Sequence, residues 1–368
     1  MDSAAGTLEL REAEGAFRRI EGWLRDRGFF APGGEELVAD LYLGYGLSQT
    51  IRRRSTPAPP EPCSALPLAA CSVRSHPYPV AHDVNGSDNL ALGAWEPTWT
   101  AAKHGDAVER VRAAIALGDV YQVNVVQHLA AAVTGDLSAV AGSLASALAS
   151  LKPLCPHPFV GDGWAVVSAS PELFLSRCGR RVWTMPIKGT RPAGQAAELL
   201  DSEKDAAEHV MIVDLERNDL SRVCEPGTVR WPELRATREL AGVEHMVSTV
   251  EGTLREGIEL AEILEATFPG GSVTGAPKIA AVDLIAELEP VGRGASMGAL
   301  GCVYGNGDFN LALTIRTFAI AEDRIHLWVG GGVVWDSDPD SEVEESWTKA
   351  RPLLDAIGST VAVPAGRR

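Results

Sequence analysis

Met297–Gly305 (MGALGCVYG), Asn310–Ala321 (NLALTIRTFAIA) and Arg324–Trp335 (RIHLWVGGGVVW) follow one another with only short turns between them. Each reads as a strand, and nothing between them is long enough for a helix. Earlier segments repeat the pattern: Trp164–Ser168 (WAVVS), Pro171–Arg177 (PELFLSR) and Arg181–Ile187 (RVWTMPI). Strands that arrive in runs, without a helix after each one, predict an α+β fold with large antiparallel sheets and not a doubly wound parallel sheet.

Helical spacing marks the segments around these runs. It predicts helices over Leu8–Arg27, from Asp106 to Leu117, over Leu137–Leu151 and over Ala196–Leu215. Further helices are expected near Glu259–Thr267, Pro277–Glu287 and Ser341–Ile357. Tyr121–Leu129 alternates as a strand, and strands are expected around Thr228–Trp231 and His245–Leu254. Ser55–Pro67 is proline-rich and reads as an extended loop.

The chain has 368 residues, a formal net charge of −16 and 45% hydrophobic residues, an ordinary globular composition with room for a large core. The acidic balance argues against nucleic-acid binding, which needs a basic face. No apolar run reaches the roughly 18 residues of a membrane span, and the N-terminus lacks a basic-then-apolar leader. A cytoplasmic protein is expected. The six cysteines are scattered without a C-x-x-C pair and read as free thiols. Lysine occurs only six times, against 27 arginines. A lysine kept in such a chain is a candidate for what arginine cannot do, which is to lose its proton and attack.

Several segments carry candidate chemistry. In Met185–Gly194 (MPIKGTRPAG), Lys188 stands at a turn after a strand. It reads either as a surface lysine or as an amine that becomes nucleophilic once desolvated. Asp205 with Glu208, and Glu342 with Glu345, lie three residues apart on predicted helices, so each pair shares a face. They read as solvated faces or as oxygen ligands for Mg2+. Phe268–Lys278 (FPGGSVTGAPK) is a turn ahead of a helix, suited to capping or to an anion. Gly330, Gly331 and Gly332 lie in a strand, where glycine marks a bulge or a close approach to backbone. Asp214–Arg222 (DLERNDLSR) reads as a helix end fixed by Asn218 and Asp219.

Taken in order, SPELF, PIKGTRP, DLERNDLSRV, VEHMVSTVEG, FPGGSVTGAPKIAA, LTIRT and the glycine run resemble the chorismate-utilising enzymes over about residues 106–357. That resemblance implies two lobes with the sheets packed as a sandwich. A short N-terminal region, 1–100, would complete the sandwich, and 101–362 would bind chorismate. It implies Glu208 and Glu345 as Mg2+ ligands, with Asp205 and Glu342 flanking. Glu172 would protonate the departing 4-hydroxyl, and Lys188 would attack C2. Thr190, His245, Ser272, Thr274, Arg316, Lys349 and the backbone of Gly330–Gly332 would hold the substrate, with Lys278 nearby.

Two positions choose a branch. PIKGT is similar to the aminodeoxychorismate synthase component I form, where other branches carry alanine in place of Lys188. Gln122 stands where water-using relatives carry a lysine base. The implied reaction joins ammonia to C4 of chorismate through a covalent Lys188 adduct and leads towards 4-aminobenzoate and folate. The alternative is amination at C2, as in anthranilate synthase component I or an aminodeoxyisochorismate synthase. No glutaminase nucleophile elbow is found, so a separate amidotransferase subunit is the implied ammonia source. Ser296 departs from the family pattern, which has an aromatic residue there.

Overall fold

The computed structural model describes residues 6–74, 90–192, 194–240 and 243–359. The chain begins with β1 (Thr7–Leu10), α1 (Ala16–Arg25), β2 (Val38–Leu43), β3 (Ala69–Arg74), β4 (Ala91–Leu92) and β5 (Glu96–Pro97). Next come α2 (Ala101–Ala116), β6 (Gln122–Thr134), α3 (Leu137–Leu148), β7 (Phe159–Val160), β8 (Trp164–Ser168), β9 (Leu173–Cys178), β10 (Arg181–Met185) and β11 (Ile187–Pro192). The middle holds α4 (Ala196–Asp201), α5 (Glu203–Ser221), β12 (Arg230–Leu240), β13 (Val243–Thr253), α6 (Leu260–Thr267), β14 (Gly275–Ala276) and α7 (Lys278–Leu288). The chain closes with β15 (Ala299–Tyr304), β16 (Phe309–Leu313), β17 (Thr317–Ala321), β18 (Arg324–Val333) and α8 (Pro339–Ala356).

Two antiparallel sheets organise the molecule, so the α+β expectation holds. The larger has ten strands in the order β1-β3-β2-β15-β16-β9-β10-β13-β11, with β12 also on β13. The smaller has eight, β14-β6-β18-β17-β8-β7, with β4 and β5 also on β6. Side chains alternate across a strand, and the smaller sheet uses both faces. Trp164 and Val166 of β8 and Ala319 and Ala321 of β17 face a core shared with Leu41, Leu175 and Leu311 of the larger sheet. Their neighbours Ala165, Val167, Phe318 and Ile320 face a second core with Leu144 of α3 and Leu353 of α8.

Three local expectations are corrected. Leu8–Arg27 is not one helix: Thr7–Leu10 pairs with β3, and Gly15, at φ 63°, breaks the chain before α1. Ala196–Leu215 is two helices, because Ser202 is extended and its side chain accepts from the Asp205 N–H, capping α5. That helix runs past Leu215 to Ser221, so Asp214–Arg222 is its last turns as expected, closed by the Arg222 N–H on the Asp219 and Leu220 carbonyls. Finally, Asn310–Ala321 is not one strand. β16 belongs to the larger sheet and β17 to the smaller, and the chain crosses between them at Thr314–Arg316. Arg316 sits at that crossing with φ 52°, a conformation costly for a side chain this large.

One buried cation ties the crossing region together. Arg293 is 1% exposed and pairs with Glu289 at 2.6 Å. Its other N–H groups donate to the carbonyls of Val273 at 2.8 Å and Asn124 at 2.6 Å, and its guanidinium lies over the Tyr45 ring. Glu289 also accepts from the Val126 N–H. The pair therefore fastens β6, the loop before β14 and the end of α7. Removing one partner leaves a buried charge unpaired, at about 3–5 kcal/mol. Arg293→Met should lose about that much stability in urea denaturation; a loss under about 1 kcal/mol would show that the pair anchors nothing.

Candidate active site

Lys188 and Glu172 meet at one serine. Glu172 precedes β9 and is buried, and its Oε1 accepts from Ser272 Oγ at 2.6 Å. Lys188 reaches from β11, and its Nζ donates to the Ser272 carbonyl at 3.1 Å. The β11–β13 register shifts between Lys188, opposite Met246, and Thr190, opposite His245. Gly189 makes that bulge at φ 65°, and a Cβ there would lie 2.5 Å from Leu199 and 3.3 Å from Asp205. Such a bulge re-aims the side chain beside it.

Burial pushes this pair towards its uncharged forms. Desolvation lowers the Lys188 pKa, opposed by the nearby charges of Glu172 and Glu208. Desolvation raises that of Glu172, opposed by the Ser272 hydrogen bond and by the Lys188 and Arg316 charges. Both shifts favour the uncharged form. A neutral amine beside a neutral carboxylic acid is a nucleophile beside a proton donor.

Both carboxylate-bearing helices face this cleft. Glu208 on α5 and Glu345 on α8 each act electrostatically on Lys188. Asp205 pairs with Arg191 at 2.8 Å, and Glu342 accepts from Ser337 Oγ at 2.6 Å. Glu345 pairs with Lys349 at 2.7 Å, and Lys349 Nζ also donates to the Gly330 carbonyl. A Cβ on Gly331 would meet Glu345, Glu342 and Lys349 at 3.0–3.4 Å, so these three side chains lie directly over that glycine. Among the described residues no three His, Cys, Asp or Glu side chains form a ready cage for an ion. Two hard carboxylates from two helices suit Mg2+, which takes one or two protein carboxylates and keeps several waters.

The remaining expected residues fall into two groups. Arg316 is largely buried, its side chain makes no hydrogen bond or ion pair among the described residues, and it faces Glu172 electrostatically. His245 is 2% exposed, and burial lowers its pKa to about 4, with Arg316 adding to the shift, so it is a neutral imidazole. β17 pairs with β18 only as far as Leu327, so the glycine run leaves one edge of β18 outside that ladder. Gln122 is buried, with its amide against Gly332 and its Oε1 unpartnered. Thr274, in contrast, is buried with its hydroxyl bonded to the Gly270 carbonyl, so it shapes the turn. Lys278 is committed to Asp219 and to the Thr267 carbonyl. Ser296 is buried against the Thr314 carbonyl.

One buried acid was missed. Glu216 is 7% exposed and hydrogen-bonded to Thr184. Its signal was the spacing of Asp205, Glu208, Ile212, Glu216 and Asp219, three and four apart, which puts them on one inner face of α5.

These features are shared with known proteins. Residues 61–355 match the model of the chorismate binding enzymes, and the chain belongs to that family. It is 38% identical over 319 residues to an anthranilate synthase component 1 of Streptomyces coelicolor, covering 84% of this chain and 59% of that one. It is 37% identical over 275 residues to an aminodeoxychorismate synthase component 1 of Escherichia coli, covering 72% and 59%. The chain thus spans about three-fifths of the length of these curated relatives. In fold it matches the crystal structure of anthranilate synthase component I from Streptococcus pneumoniae, with a TM-score of 0.79, 24% identity, and 96% and 92% of the two chains covered. The two antiparallel sheets are therefore those of a known fold. The family includes relatives named for two different aminations at similar identity.

The three glycines differ in what they protect. A Cβ at Gly330 would lie 1.9 Å from the Val125 carbonyl oxygen, whereas at Gly331 it meets only side-chain ends. Overpacking costs about 1–3 kcal/mol, and more where backbone must shift. Gly330→Ala should lose about 3 kcal/mol and Gly331→Ala under about 1 kcal/mol in urea denaturation. Equal losses would mean that Gly331 is held by the fold and not kept open for the site.

Proposed function

We propose that this chain is the chorismate-aminating component of an aminodeoxychorismate synthase. The observation that carries the reading is Lys188, a desolvated amine beside the buried acid Glu172, both held by Ser272. Neutral Lys188 attacks C2 of chorismate. The C4–O bond breaks as the ring double bonds shift, and Glu172 gives its proton to the departing oxygen, which leaves as water. Ammonia then forms the C4–N bond, the C2–N bond to Lys188 breaks, and the Glu172 carboxylate takes a proton from the incoming nitrogen. Dividing one displacement into two places the new nitrogen at C4. General acid–base help of this kind is worth about 10²–10⁴-fold.

Binding follows from charge. Chorismate carries two carboxylates, and Arg316, whose side chain has no partner among the described residues, suits one of them, with Lys349 and the backbone of Gly330–Gly332 beside it. Neutral His245 and Ser272 line the ring side, while the Thr190 side chain lies outside the described residues. Mg2+ held by Glu208 and Glu345, with Asp205 and Glu342 flanking, supplies positive charge for the other carboxylate. Gln122, which cannot take a proton as a lysine base would, disfavours attack by water. Ammonia comes from a separate amidotransferase subunit, and free ammonium substitutes for it in vitro. A cytoplasmic enzyme feeding a lyase that makes 4-aminobenzoate for folate fits this chemistry.

A second reading, amination at C2, is favoured by relatives named anthranilate synthase, one of them 43% identical over 264 residues. Product analysis separates the two. Chorismate, Mg2+ and ammonium with the purified chain should give 4-amino-4-deoxychorismate, and Lys188→Ala should lower it at least a hundredfold. Anthranilate with pyruvate from the wild type would establish the second reading. Glu345→Gln should move the Mg2+ titration of turnover to at least tenfold higher concentration; an unchanged titration would reject that ligand.

A further inference from the structure

Glu216 has no part in the chemistry above, yet it is built into the wall behind it. Thr184 Oγ1 lies 3.0 Å from Glu216 Oε2 and 3.5 Å from the carbonyl oxygen of Leu173, the residue after Glu172. On its other side, Glu216 Cγ would lie 3.4 Å from a Cβ on Gly271, the residue before Ser272. Glu216 is therefore linked through Thr184 to the residue after Glu172, and its Cγ packs against the residue before the serine that bonds Glu172. With Phe174, Asp219, Thr267 and Gly270 it lines a small cavity under the turn.

We propose that Glu216 and Glu172 form a buried pair of carboxyl groups, in which Glu216 is the positioning residue that lets Glu172 carry negative charge midway through turnover. The inference rests on the reading of Glu172 as the proton donor. Two carboxylates close together in a dry wall cannot both ionise easily. Glu172 becomes an anion once its proton has left with the C4 oxygen, and it stays one until ammonia returns a proton. During that interval a neutral Glu216 adds no opposing charge. Glu216 itself gives up no proton.

The groups facing Glu216 agree. Burial and the charge of Glu172 raise its pKa to about 8; Asp219 on α5 adds to this, while Lys278 on α7 and the Thr184 hydroxyl on β10 oppose it. Lys278 is itself neutralised by Asp219. A protonated Glu216 also satisfies its neighbours, since its O–H can donate to Thr184 Oγ1 while Thr184 donates to the Leu173 carbonyl.

The test follows the carbonyl stretch of protonated carboxyl groups by infrared difference spectroscopy against pH. Wild type, Glu172→Gln and Glu216→Gln are compared. A coupled pair releases its last proton later than either group alone. The last wild-type step is therefore expected at least about one pH unit above the step in either variant. A wild-type titration equal to the sum of the two variants overturns the pair. Turnover supplies a second readout. The ratio of chorismate consumption at pH 9 to that at pH 7 should be several-fold higher in Glu216→Gln than in wild type, because Glu216 can no longer ionise. Coincident pH profiles would overturn its role even if the groups are coupled. Chorismate that none of the three proteins consumes would strike the functional reading, whereas an additive titration strikes the pair, so the two failures are distinguishable.

Discussion

Taking Lys188 and Glu172 out of water together constrains everything else in this molecule. Two opposite groups in solvent would form an ion pair, an ammonium that cannot attack beside a carboxylate that cannot donate. Burial works against that pairing, lowering the Lys188 pKa and raising that of Glu172, so both shift towards the uncharged form. The protein must then hold both groups at one place without water. Ser272 does so through two different atoms, its hydroxyl to Glu172 and its carbonyl to Lys188. The turn carrying Ser272 is fastened from behind by Arg293 through the Val273 carbonyl. A buried ion pair remote from the reacting groups thus sets where they stand.

The crossing between the sheets supplies the remaining charge. A chain at −16 repels a dianion at long range. At the point where the chain leaves one sheet for the other stands Arg316, a largely buried cation whose side chain has no partner among the described residues. Lys349 and Glu345 neutralise each other across Gly331. Both side chains are exposed enough that this pairing is weak and easily exchanged. A cation at Glu345 would free Lys349 for an anionic guest, which links the two binding events through one side chain.

Much of this was legible from residue types. Lys188 stood out in an arginine-rich chain, and the order of motifs identified the family whose model the chain matches. Runs of strands without intervening helices gave the antiparallel sheets, since hairpins need only short turns. What escaped was three-dimensional. Asn310–Ala321 is evenly apolar, so no periodicity marks the residue where it changes sheet. DLERNDLSR reads as a helix end, and it is one, but the reading does not show that Glu216 lies on the inner face of that helix. The partner of Lys278, Asp219, is remote in sequence, and a threonine such as Thr274 that bonds its own turn is indistinguishable in sequence from one that bonds a guest.

The central claim is that Lys188 becomes covalently joined to the substrate. Peptide mass spectrometry of the chain quenched after mixing with chorismate and Mg2+, without ammonia, tests it most directly. The account predicts the mass of chorismate less one water on the peptide that contains Lys188, lost again when ammonium is added before quenching. An unmodified Lys188 in a preparation that goes on to aminate chorismate would contradict it.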